Sequence, residues 1–105
     1  MKSRDKYQLF SQPDALGRPI ATLVVTVGDG IHGGLLIGNL LVDSPYRRQG
    51  YASKLLKRVR DWASEEYQGK SLFAVTHPNN IAASQLFEKE GYTQMVLWEK
   101  KLPNA

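Results

Sequence analysis

The chain has 105 residues, no cysteine and a formal net charge of +4. This length predicts a single domain across residues 1–105, because a chain of this size can bury one hydrophobic core. The absence of cysteine excludes disulfides, thiolate metal sites and a cysteine nucleophile. No apolar run approaches the roughly 20 residues that span a membrane, and no signal-peptide core follows Met1. We therefore expect a cytoplasmic protein without a membrane partner.

The first half of the chain predicts three β-strands. Residues 7–10 form a short strand candidate, and a turn follows at residues 13–17. Ile20–Val27 is β-branched and apolar on both faces, which is typical of a central strand. A glycine-rich loop carrying His32 then leads to Leu35–Val42, so we expect these last two strands to pair antiparallel.

A basic loop with one glycine follows the strand Leu35–Val42 and leads into a helix. Apolar residues recur with helical spacing at Ala52, Leu55, Leu56, Val59 and Ala63, so Gly50 lies at the helix start. The first amides of a helix lack partners and its dipole is positive there, which favours an anion such as phosphate. Residues 47–60 contain six cations and no acid, which suits a ligand with several phosphates. The alternative is a tight turn followed by a solvated helix face.

The second half of the chain predicts a strand, a helix and a last strand. Residues 71–76 form a short buried strand that is reached through a helix, so it should lie parallel to Leu35–Val42. Asn79 or Asn80 is expected to cap a second helix that ends at Gly91. The alternating residues 92–102 predict the last strand.

Two stretches of the chain match motifs of one known family in the right order. Arg47-Arg48-Gln49-Gly50-Tyr51-Ala52 resembles the R/Q-x-x-G-x-G/A loop with which the GNAT superfamily of N-acetyltransferases binds the pyrophosphate of acetyl-CoA. Residues 80–92 are similar to the family's N-x-x-A-x-x-L-Y-x-K-x-G-F/Y element. The likeness covers about residues 19–102. It implies an α/β fold, a GNAT-like mixed central sheet with helices on both faces, lacking most of the usual first strand and first two helices.

The resemblance also implies a reaction and a set of site residues. An acetyl group would pass from acetyl-CoA to a primary amine by direct attack, with no metal. The Leu40 amide would polarise the thioester carbonyl, Val42 would bond the pantetheine, and Asn80 would contact the pantetheine or an ordered water unless it only caps the helix. The implied cofactor-binding set is Leu40, Leu41, Val42, Arg47, Arg48, Gln49, Gly50, Tyr51, Ala52, Ser53, Asn80 and Phe87.

Two positions depart from the chemistry of the family. Phe87 stands where many members carry a tyrosine that reprotonates the leaving thiolate, and Leu36 stands where some carry a glutamate base. His77, which follows the second parallel strand, is our candidate base, and the alternative is a surface or turn residue. The expected catalytic residues are therefore Leu40, Asn80 and His77.

The shortened first half leaves the acceptor amine and the assembly open. One alternative is a CoA-binding module without transferase activity, and a less favoured one is nucleic-acid binding through the basic residues 47–60. The apolar strands at residues 7–10 and 20–27 have few covering elements, so we expect a homodimer that covers them.

Overall fold

The computed structural model describes residues 6–104 and shows a four-stranded mixed sheet with two α-helices. The strands are β1 (Tyr7–Pro13), β2 (Pro19–Val27), β3 (Leu35–Val42) and β4 (Leu72–Ala74); the helices are α1 (Tyr51–Glu66) and α2 (Ile81–Lys89). The sheet order is β1-β2-β3-β4, with antiparallel pairs except for the parallel pair of β3 and β4. The predicted α/β class, the antiparallel pair and the parallel crossover are confirmed. Within residues 6–104 no helix has the length and apolarity needed to cross a membrane.

The core lies between the sheet and α1. Leu23 and Val25 point from β2 to the same side because strand residues alternate, and both are fully buried. Leu55 and Val59 lie one helical turn apart on α1 and are also fully buried. Burial of such side chains contributes about 1.5–3 kcal/mol each. Of the two strands that suggested a homodimer, β2 is thus largely covered by α1, whereas Leu9 of β1 stays exposed.

A bulge interrupts β3 at Asn39 and Leu40. Thr22 pairs with Leu41 and Val24 pairs with Gly38, so two residues of β3 lie opposite the single residue Leu23. Asn39 has a φ of +53°, a left-handed conformation that asparagine tolerates better than most residues. A bulge of this kind releases an amide from the ladder and bends the strand.

The strands β3 and β4 pair over a short length and then diverge. Their register runs from Leu35 opposite Leu72 to Ile37 opposite Ala74. The remaining residues of β3, 38–42, have no ladder partner on the β4 side within the described chain. The structure therefore leaves residues 38–42 without a neighbouring strand on the β4 side among residues 6–104, and this gap is called the cleft below.

The prediction of a last strand at residues 92–102 is wrong. Residues 93–104 form neither strand nor helix and all are exposed, with Trp98 at 89%. The alternation of side chains is present in the sequence, but a strand also needs a neighbouring backbone to pair with. No strand among residues 6–104 supplies that backbone, and β4 keeps a free edge.

Candidate functional site

The backbone at Gly50 is left-handed and opens to solvent. Gly50 precedes α1 as its N-cap residue with φ +84° and ψ 6°, and no side chain of the described residues caps this helix end. A Cβ built at Gly50 would meet no protein atom within 4 Å. The glycine is therefore required by the backbone angle, and the space above it is free for a ligand.

The amides that follow this turn have no partners. The first backbone bond of α1 runs from the Lys54 amide to the Gly50 carbonyl at 3.0 Å. Within residues 6–104 the amides of residues 48–53 donate no hydrogen bond to another protein group. Arg48, at φ +63°, is the second left-handed residue of this loop. Left-handed turns beside free amides form the concave backbone that binds anions.

The cations near Gly50 divide into free and occupied groups. Arg48 and Lys54 are exposed and form no ion pair within the described chain, and Lys54 lies 5.5 Å from the Tyr51 ring centre. Arg47 Nε donates to the Val42 carbonyl at 3.1 Å and ties the loop to the end of β3. Three further cations have protein partners: Lys57 pairs with Glu90, Arg58 donates to the Ser11 carbonyl, and Arg60 pairs with Asp61.

Glu90 is a site-adjacent residue that sequence reasoning missed. Its carboxylate accepts a hydrogen bond from Ser53 Oγ at 2.5 Å and lies 3.3 Å from Lys57 Nζ, and its side chain is only 7% exposed. The hydrogen bond from Ser53 and the charge of Lys57 lower the pKa of Glu90 despite its burial. This network joins the first turn of α1 to the end of α2. No local signal marks it, because the partners lie 37 residues apart in sequence.

The cleft side of β3 carries the residues expected to meet the pantetheine. Leu40 is part of the bulge, Leu41 is 65% exposed, and Val42 is half-buried. The carboxyl ends of β3 and β4 lie at the same end of the sheet because these strands are parallel. The structure therefore brings residues 40–42 and the loop after β4 to that end of the sheet.

The loop after β4 holds His77 and Asn80. Asn80 Oδ1 accepts from the Ala83 amide at 3.1 Å, so the predicted cap is Asn80 rather than Asn79. His77 is exposed, and its Nδ1 accepts from the Asn79 amide at 3.2 Å. That bond leaves the proton of the neutral ring on Nε2. His77 therefore has a turn-forming contact.

Phe87 and Tyr92 form an edge-to-face pair at the end of α2. Their ring centroids are 5.1 Å apart, and both rings pack against the hydrophobic core. The Tyr92 hydroxyl is buried and has no hydrogen-bond partner among residues 6–104. Burial, with a smaller contribution from the Glu90 charge, raises the pKa of Tyr92 to about 12. Phe87 is thus half-buried and packs against the core.

These features define an α/β domain with a left-handed glycine turn between a strand and a helix, beside two parallel strands whose pairing ends at Ile37 and Ala74. The model of the acetyltransferase (GNAT) family matches residues 4–92. The chain therefore belongs to the GNAT acetyltransferase family, as its two motifs indicated.

Solved structures of acetyltransferases share this fold. The ribosomal-protein-alanine N-acetyltransferase from Escherichia coli is 24% identical with a TM-score of 0.74, and the match covers 90% of this chain and 57% of the enzyme. A putative acetyl transferase from Pyrococcus furiosus is 19% identical with a TM-score of 0.78, covering 95% and 68% of the two chains. AAC(6')-Iy, in complex with a CoA bisubstrate analogue, is 16% identical with a TM-score of 0.73, covering 94% and 72%. No curated protein matches this sequence.

Proposed function

We propose that this chain binds acetyl-CoA and transfers its acetyl group to a primary amine. The observation that carries the proposal is the run of six free amides at residues 48–53 around the left-handed Gly50. The GNAT family uses acetyl-CoA, and AAC(6')-Iy was solved with a CoA-containing analogue.

The pyrophosphate of the cofactor would lie on the free amides before and within the first turn of α1. Amide hydrogen bonds to a charged group contribute about 1.5–3 kcal/mol each, and the positive end of the helix dipole adds to them. Arg48 and Lys54 are nearby exposed cations without an ion pair in the described chain, so they are placed to pair with phosphate oxygens. Arg47 holds the loop against Val42.

The pantetheine arm would run along residues 38–42 of β3, whose β4 side lacks a ladder partner. The bulge at Asn39 and Leu40 supports the role of the Leu40 amide, because an amide outside the ladder can donate to the thioester carbonyl. Such a donor stabilises the negative charge that develops on that oxygen as the amine attacks. Leu41 and Val42 contribute backbone contacts farther along the arm.

The attacking amine must lose a proton, and the sulfur of CoA must gain one as the C–S bond breaks. Phe87 and Leu36 carry no titratable group. His77 can accept a proton at Nδ1 only after this atom leaves the Asn79 amide. We therefore assign both proton transfers to water in the cleft. His77 takes the proton of the amine when the bond from the Asn79 amide to its Nδ1 opens.

The second candidate is a CoA-binding module without transferase activity. One observation favours it: Phe87, which cannot donate a proton, packs against the core. The chain spans 57% of the length of the Escherichia coli enzyme. Nucleic-acid binding is less supported than the sequence suggested, since Lys57, Arg58 and Arg60 already have protein partners.

Two measurements test the proposal. Calorimetric titration with CoA and acetyl-CoA should show saturable binding. Incubation of acetyl-CoA with a peptide bearing an N-terminal alanine, and with an aminoglycoside, should release free CoA thiol above the hydrolysis blank. These acceptors follow the printed substrates of structural neighbours. Binding without thiol release with a wider amine panel favours the CoA-binding module, and absence of binding overturns both readings.

A further inference from the structure

Ser53 connects the candidate phosphate turn to the interior of the protein. It is 6% exposed, and no other polar residue among residues 6–104 is buried to that degree. Ser53 is the third residue of α1, so its amide is the last free one before the first helical bond, which runs from Lys54 to Gly50. Its hydroxyl, by contrast, donates to the Glu90 carboxylate inside the protein. One residue thus combines a free amide with a buried anchor.

The backbone at the end of α2 fixes the position of Glu90. Glu90 is the C-cap residue of this helix, and the Gly91 amide after it donates to the Glu88 carbonyl at 3.0 Å. The Tyr92 amide donates to the Phe87 carbonyl at 2.9 Å. These two bonds form the Schellman motif, which closes a helix end in one defined geometry. The Glu90 side chain therefore extends from an ordered backbone towards α1.

The charge of Glu90 lies where it stabilises α1 rather than α2. A carboxylate is unfavourable at the C-terminal end of a helix and favourable at the first turn, because the dipole is negative at the first and positive at the second. Glu90 ends α2, yet its carboxylate accepts from Ser53 in the first turn of α1 and lies 3.3 Å from Lys57 Nζ. Its side chain is 7% exposed. Glu90 thus anchors a helix start that no side chain of the described residues caps.

We propose that Glu90 is a positioning residue of the cofactor site, which orders the free amides of the first turn of α1 by accepting a hydrogen bond from Ser53. This inference rests on the proposed function, because it concerns how tightly the same amides hold the pyrophosphate of CoA. Glu90 acts through Ser53 and does not contact the cofactor. Amides that are already ordered bind an anion more tightly, since the loss of their conformational freedom no longer opposes binding.

A purely electrostatic role for Glu90 predicts the opposite result. A negative charge near the anion site repels the pyrophosphate, so its removal would tighten binding. Removal would also release Lys57, which could then pair with a phosphate oxygen. In the structure the ion pair with Lys57 offsets the charge of Glu90, and the hydrogen bond from Ser53 remains as its link to the amides. The two roles therefore differ in the sign of their effect on CoA affinity.

Calorimetric titration with CoA tests the proposal, with circular dichroism to give the folded fraction. Glu90→Ala removes the acceptor and should weaken CoA binding by about five- to thirtyfold, the factor that corresponds to ordering the backbone of one residue. Ser53→Ala should weaken binding equally, and the double variant should be no weaker than either, because both changes remove the same bond. Glu90→Gln keeps an oxygen that can accept from Ser53 and should recover most of the affinity.

Two control variants separate positioning from a general loss of stability. Glu88→Ala removes an exposed carboxylate from the same helix and should leave CoA affinity unchanged. Val59→Ala opens a cavity in the core beneath α1, away from the hydrogen bond between Ser53 and Glu90. It should lower stability without changing the CoA affinity of the folded protein.

The outcomes distinguish this inference from the proposed function. Unchanged or tighter CoA binding by folded Glu90→Ala overturns the inference and leaves the proposed function intact, as do additive losses in the double variant or an equal loss in Val59→Ala. If Glu90→Ala does not fold, Ser53→Ala decides, since it removes one hydroxyl group and unchanged affinity overturns the inference. Absence of CoA binding by the unaltered protein overturns the proposed function and the inference together.

Discussion

The hydroxyl of Ser53 donates a hydrogen bond to the carboxylate of Glu90 at 2.5 Å, which links the first turn of α1 to the end of α2. Lys57 Nζ contacts both groups, at 2.9 Å from Ser53 Oγ and 3.3 Å from Glu90. The Ser53 side chain is thus engaged inside the protein while its amide stays free. The network holds the end of α1 at which we propose that the pyrophosphate binds.

Replacement of Glu90 should lower stability in a pH-dependent way. The lowered pKa of Glu90 means that its charged form stabilises the fold above its ordinary pKa of 4.5, and that this contribution is lost as pH falls through the lower folded value. Glu90→Gln should lower the free energy of unfolding by about 1–3 kcal/mol at pH 7 and flatten its acid dependence. Urea unfolding from pH 7 to 3 measures both, with the exposed Glu88→Gln as control. Parallel profiles for Glu90→Gln and the unaltered protein would contradict the assignment.

The glycine turn can be tested with a matched pair. Gly50 and Gly17 have φ angles of +84° and +82°, and a Cβ at either meets nothing within 4 Å. Gly50→Val and Gly17→Val should therefore both lose stability, on the order of 1–2 kcal/mol or more, from left-handed strain. Only Gly50→Val should weaken CoA binding, by well over tenfold, because its side chain stands over the free amides. Calorimetry with circular dichroism checks this, and normal affinity in folded Gly50→Val would remove the phosphate site.

The cations of α1 should have two separate effects, one on CoA binding and one on stability. Lys54→Ala should weaken CoA binding several-fold and reduce its salt dependence, since Lys54 is an exposed cation in the first turn of α1. Arg58→Ala should leave affinity unchanged and lower stability by about 0.5–1.5 kcal/mol, because Arg58 donates to the Ser11 carbonyl of β1. Titrations at low and high salt, with urea unfolding, measure the two effects. Equal losses of CoA affinity in Lys54→Ala and Arg58→Ala would show that both cations contribute to CoA binding.

Asn80 should show both of its expected roles. Asn80→Ala removes the oxygen that caps α2 and should lower the free energy of unfolding by about 0.5–2 kcal/mol. Asn80→Ser keeps a capping oxygen and should recover most of that loss. If the amide also contacts the pantetheine, both variants should bind CoA more weakly. Affinity that recovers with stability in Asn80→Ser would restrict this residue to the cap.

The Tyr92 hydroxyl should ionise at a higher pH than an ordinary tyrosine, and its ionisation should lower the stability of the fold. Its pKa of about 12 means that the folded state favours the neutral hydroxyl, so stability is full below pH 10 and falls as pH rises towards 12. The difference in tyrosinate absorbance between the unaltered protein and Tyr92→Phe isolates this group. Because the hydroxyl has no partner among residues 6–104, Tyr92→Phe should be at least as stable at pH 7. A titration near 10 would place the hydroxyl in contact with water.

The parts of this fold that depend on interactions between neighbouring residues could be predicted from the sequence. β3 occupies the predicted residues 35–42, and α1 starts after Gly50, because an apolar run, turn formers and a glycine act within a few positions of one another. The same holds for the Asn80 cap, whose acceptor and donor lie three residues apart. The turn proposed to bind phosphate belongs to this class, since its amides come from one continuous stretch. Sequence alone therefore determined the family and the centre of the candidate site.

Contacts between distant residues were decided only by the tertiary structure. Glu90 reaches Ser53 and Arg58 reaches Ser11 across long stretches of chain, so composition could count these charges but not assign their partners. The cleft exists because β3 and β4 pair only as far as Ile37 and Ala74, and that length depends on the packing of two separate segments. Residues 92–102 alternate like a strand yet lie unpaired, because periodicity sets which side a residue faces, while pairing requires a neighbouring backbone that a single sequence pattern does not specify.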